Sequence, residues 1–129
     1  MDALDQRLQI LHQAGMLSDQ HAKDAALLRE FFSKRYGITL TEENAGAFFA
    51  HFCMALHRLE TDERIDPVDE VIQDEIQDEA DYDNACFVAD EIQQSVVALP
   101  DWERGYILVH LIVLLGKVRE AYDKEILGE

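Results

Sequence analysis

Two histidines hold most of the chemistry available to this chain. His51 sits inside Ala47-Phe48-Phe49-Ala50-His51-Phe52-Cys53-Met54-Ala55, and His110 inside Tyr106-Ile107-Leu108-Val109-His110-Leu111-Ile112-Val113. An imidazole in such company costs free energy unless it is hydrogen-bonded or faces a groove. It is also the side chain that offers a neutral nucleophilic nitrogen near pH 7 without activation. One such histidine is compatible with a packing accident. Two, each centred in an apolar helical run, suggest a pair used for chemistry or signalling.

On a helical wheel His51 shares a stripe with Asn44, Ala47, Ala55 and Arg58. Arg58 is two turns on, about 10 Å along the axis, a gap that an Arg side chain partly bridges. The small Ala47, Ala50 and Ala55 leave a groove beside the ring. A phosphate placed on the imidazole would find a guanidinium, the group suited to bidentate phosphate contact. The competing reading is a hydrogen-bonded core histidine, with Arg58 marking the return of the helix to solvent. His110 shares its stripe with Glu103, Tyr106, Leu114 and Lys117. Glu103 is placed to orient the His110 ring or stabilise its cation, and here too a satisfied core histidine is the alternative.

The remaining histidines offer less. His57 is six positions from His51, about 120° round a helix, so a regular helix does not let the two share a metal. His12 and His21 read as surface residues without partners. Glycine-rich phosphate loops, HExxH, nucleophile elbows and calcium loops are absent from the sequence. No enzyme, cofactor or metal site is expected.

The elements that must position these residues are helical. Apolar spacing follows the helical period nearly everywhere, with no sustained alternation of period two. Expected helices cover Ala3 to Ala14, Ser18 or Asp19 to Tyr36 with Gly37 as the stop, and a third to about Leu59. Thr39-x-x-Glu42 fits a capping box for that third helix, with Thr41 as the competing cap. Pro67 suits the first position of a short acidic helix to about Gln77. Two more follow, Tyr82 to Val97 and Pro100 to Lys124, the latter carrying Glu103 in its first turn. The expectation is an all-α bundle of five to six helices.

At 129 residues one domain suffices, large enough to bury a core without metal or disulfide support. Cys53 and Cys86 lie in apolar helical contexts and read as buried reduced thiols. Carboxylates outnumber basic side chains 27 to 11, for a net charge of −16. Nucleic acid is bound largely through Lys and Arg on phosphates, and no basic patch exists for that. From Glu60 to Glu91 there are 14 acidic residues opposed only by Arg64. That stretch is either a solvated face that aids solubility or a docking surface for a basic partner. The start has neither basic nor apolar signal-peptide regions, and the longest apolar run is about half a membrane span. A cytoplasmic protein, with no membrane contact, is expected.

From about Leu27 to Leu115 the chain resembles the PTS regulation domain, the helical module of sugar-responsive bacterial antiterminators and activators. The resemblance is carried by Tyr36-Gly37-Ile38-x-Leu40 before a helix, by His51 with Arg58, and by Tyr82-x-x-Ala85 after an acidic segment. Its most specific string is Leu99-Pro100-Asp101-x-Glu103-x-Gly105-Tyr106-Ile107-x-x-His110-Leu111. The resemblance implies a five-helix bundle over residues 25–129, with residues 1–24 as an added N-terminal helix. It implies that His51 and His110 are phosphoacceptors, served by the phosphocarrier protein HPr or a sugar-permease component. Arg58 and Arg104 are then the groups to meet the phosphate, with Glu103 as the ring-orienting residue. It also implies a homodimer whose pairing the phosphate changes. Family regulators usually carry two such domains and an effector module. A single domain suggests a stand-alone regulator of transcription acting through a protein partner; the alternative is an acidic helical adaptor whose histidines are structural.

Overall fold

In the computed structural model, which describes residues 1–128, the chain forms six helices and no strand among those residues. They are α1 (Ala3–Gln13), α2 (Asp19–Tyr36), α3 (Glu42–Thr61), α4 (Glu70–Gln77), α5 (Tyr82–Ser95) and α6 (Asp101–Leu127). The all-α bundle expected from the spacing is therefore present, with six members.

Local chemistry sets the boundaries. Asp2 caps α1 by accepting the Asp5 amide, and Ser18 caps α2 by accepting that of His21. Gly37 closes α2 in the left-handed region at φ 68°, where a side chain would be strained. Of the two candidate caps for α3, Thr41 wins over Thr39. Its hydroxyl accepts the Asn44 amide, Asn44 Oδ1 accepts the Thr41 amide, and Asn44 Nδ2 donates to Thr39 O. The α4 helix begins later than Pro67 suggested. Asp69 accepts the Val71 amide and so starts the helix at Glu70, leaving Pro67 in the connector.

The boundary expected at residue 24 falls inside the continuous α2. The α1 helix shares the common core through its fully buried Leu4. Arg29 on α2 reaches both Asp2 and Asp5, and holds the exposed Asp2 carboxyl down to about 2. Arg7 on α1 pairs with Glu42 at the start of α3.

The core is aromatic at its centre. Phe32, Phe48, Phe49 and Phe52 are fully buried with Leu28, Leu56, Leu111 and Leu114. Phe32 and Phe48 meet edge-on across α2 and α3, with ring centroids 5.9 Å apart. The apolar surround of Tyr106–Leu115 has a simple cause: α6 packs against α3, α4 and α5. Three neighbours use most of its faces, and Val113 remains half exposed, at 51%.

Candidate functional site

The two stripes read from the helical wheels face one another. Lys117 Nζ donates to Glu43 O at 3.3 Å, the His51 and His110 rings lie 5.0 Å apart, and Arg58 meets Glu103 at 2.8 Å. Positions rise along α3 as they fall along α6, so the two helices run antiparallel with their chemistry on the shared seam.

At the middle of that seam the His51 ring is bordered by two rings from α6. Tyr106 stacks on it at 5.6 Å and 27°, and His110 lies at 5.0 Å and 36°. Of the alanines expected to leave a groove beside the ring, Ala55 is fully buried, Ala50 is half-buried and Ala47 is exposed, so the groove is closed at its Ala55 end only. His51 Nε2 is buried and has no hydrogen-bond partner, with its nearest carboxylate oxygen, Glu103 Oε1, at 3.7 Å. Burial drives the His51 pKa down to about 4; His110 and Arg58 push the same way, and Glu103 opposes them. Burial also lowers that of His110. Both imidazoles are therefore neutral near pH 7, with a lone pair on one ring nitrogen.

Glu103 does not pair with His110, which is the ring its spacing suggested. Its carboxylate takes two hydrogen bonds from Arg58, Nε to Oε2 and Nη2 to Oε1, each 2.8 Å. The Glu103 side chain is only 1% exposed, so this fork supplies its charge compensation. Arg58 is consequently at the site but engaged. Arg104 is not brought to the histidines: it pairs with Asp90 on α5 at 2.8 Å. One helix position separates it from Glu103, and that is enough to turn it to another face.

The connector between α3 and α4 is strapped onto the start of α6 beside Glu103. Arg64 stands over the Trp102 ring at 4.4 Å, and Tyr106 donates its hydroxyl proton to Asp66 O at 2.9 Å. Buried Val68 presses on Gly105, where an added Cβ would lie 2.2 Å from Val68 Cγ1. Only glycine allows that approach.

Tyr106 was visible on the His110 stripe, yet nothing in the spacing said that it would stack on His51. The other histidines also have partners that spacing missed. His12, exposed as expected, meets Asp19, and half-buried His21 meets Glu60, each at 2.7 Å, partners that the spacing did not name. His57 donates from Nδ1 to Met16 O at 2.8 Å, tying α3 to the turn after α1. Among the described residues no helix is long and apolar enough to cross a membrane.

The family model for the PRD domain matches residues 28–114, which include His51, Arg58, Glu103, Tyr106 and His110. No curated protein and no solved structure matches the chain.

Proposed function

The chain belongs to the PRD domain family, and on that premise we propose that it is a histidine-phosphorylated regulator in sugar-linked transcription control. Membership carries a regulatory role tied to the sugar phosphotransferase system. His51 and His110 are the acceptors, and HPr or a permease component is the donor. One observation carries this reading: two neutral imidazoles lie 5.0 Å apart beside a guanidinium, on the seam between two helices.

The reaction is a phosphoryl transfer between imidazoles. The lone pair of a neutral ring nitrogen attacks the phosphorus of the donor's phosphohistidine. A new N–P bond forms as the donor's breaks, and the donor imidazole leaves neutral, keeping the N–H on its other nitrogen. No metal or cofactor is needed for the charge balance.

The new dianion becomes a rival of Glu103 for Arg58. A phosphate that draws Arg58 away leaves a buried carboxylate uncompensated, which is costly where α3 meets α6. The switch is then a loosening of this seam, read by a partner or by a second copy in a homodimer. Half-exposed Val113 on α6 and Phe87 on α5, at 51% and 55%, supply apolar surface for such a contact. With a net charge of −16, the target is another protein rather than nucleic acid.

A second reading has one observation in its favour, the sealed Nε2 of His51. On that reading the chain is an acidic helical adaptor whose histidines are structural. Incubation with phosphorylated HPr separates the two: acid-labile phosphate on His51 or His110 supports the regulator, and its absence from both supports the adaptor.

A further inference from the structure

We propose that His51 and His110 form a single phosphoryl site that holds one phosphate at a time, rather than two independent acceptors. The inference rests on the phosphoacceptor reading and adds its stoichiometry.

A phosphoryl group on either ring brings a charge of about −1.5 to −2. Ring centroids 5.0 Å apart place two such groups roughly within a Debye length of each other, which is about 8 Å at physiological salt. The rings are partly buried, so salt screens the repulsion less than it would at an open surface.

The local cations are few. Arg58 is forked to Glu103, and the same carboxylate stands 3.7 Å from His51 Nε2. Arg104 is held by Asp90, Arg64 lies over Trp102, and Lys117 is two turns from His110 with its ammonium on Glu43 O. A first phosphate can be met by Arg58 leaving Glu103. A second would face that phosphate and the freed Glu103 carboxylate with no guanidinium left to meet it. Single occupancy follows from this shortage.

Potassium phosphoramidate tests this without a protein donor. Its N–P bond breaks as the imidazole N–P bond forms, and ammonia leaves with the protons on its nitrogen. The folded full chain is treated at neutral pH, and phosphates at His51 and His110 are counted by intact mass and peptide mapping. Expected in the unmutated protein is at most one phosphate over the two positions. Doubly labelled chains should fall at least tenfold below the product of the two single-site occupancies. His51→Asn and His110→Asn should each still label at the remaining histidine, with melting curves confirming that they are folded.

Doubly labelled chains at the statistical level would overturn single occupancy and leave the phosphoacceptor reading standing. A histidine that stays unlabelled even as the sole member of the pair would also overturn the shared site. Label at neither position in the unmutated chain, with label elsewhere, would overturn both readings.

Discussion

Arg58 and Glu103, 45 positions apart, are joined by two hydrogen bonds of 2.8 Å at the end of the seam that holds His51 and His110. The Glu103 side chain is 1% exposed and that of Arg58 14%. Charges so placed are costly to separate, because either partner alone is a buried ion without compensation. We expect Arg58→Ala and Glu103→Ala each to lower unfolding free energy by about 3–5 kcal/mol in urea titrations. The double substitution Arg58→Met with Glu103→Leu should recover most of that loss. Additive losses in the double variant would show that the two side chains do not depend on each other.

Acid should weaken the fold through His51. Its folded pKa is lowered to about 4 from an ordinary 6.5, so the unfolded chain takes up a proton that the folded chain refuses. The His51 contribution is complete above pH 6.5 and is lost as the pH falls towards 4. It amounts to roughly 3 kcal/mol at most, at 1.36 kcal/mol per pKa unit. His110 acts in the same direction. Replacing His51 by Asn should flatten the fall in stability across that window. An unchanged pH profile in the variant would place the titration elsewhere.

Gly105→Ala sets two opposed effects against each other. Alanine gains about 1 kcal/mol of helix propensity, but its Cβ would meet the stiff, buried Val68 at 2.2 Å. Overpacking costs about 1–3 kcal/mol and should win. Val68 must then move, and with it the connector that covers the start of α6. Net destabilisation in thermal melts, relieved by adding Val68→Ala, is the expected outcome. A stabilised Gly105→Ala protein would deny the tight contact.

Self-association is tested by sedimentation velocity of the unmodified and phosphorylated chain at low and moderate salt. A dimer in the unmodified protein, with an equilibrium displaced by phosphate, is expected. A monomer under every condition would remove pairing from the mechanism.

Much of the architecture was legible because caps, glycines and apolar spacing act locally. Ser18, Gly37 and Pro100 marked helix ends, and the wheels placed His51 with Arg58 and His110 with Glu103 on their own stripes. Which stripes meet is a matter of registry between distant segments, and spacing carries none of it. Hence Glu103 was assigned to His110, whereas antiparallel packing delivers it to Arg58. Arg104 read as a second phosphate ligand, although one helix position of about 100° turns it to Asp90. Pro67 failed as a start signal because the helix is capped two residues on, where Asp69 accepts the Val71 amide, while Asp66, the cap that Pro67 would need, has its carbonyl bonded by the Tyr106 hydroxyl.

Where phosphate lands on the chain separates a phosphorylated regulator from an acidic adaptor. Phosphorylated HPr, incubated with the folded chain at neutral pH and followed by site mapping under conditions that preserve acid-labile phosphate, measures this directly. We expect phosphate on His51 or His110, lost only when both are replaced by Asn. Phosphate confined to His12, His21 or His57, or none on the chain, would contradict the phosphoacceptor seam.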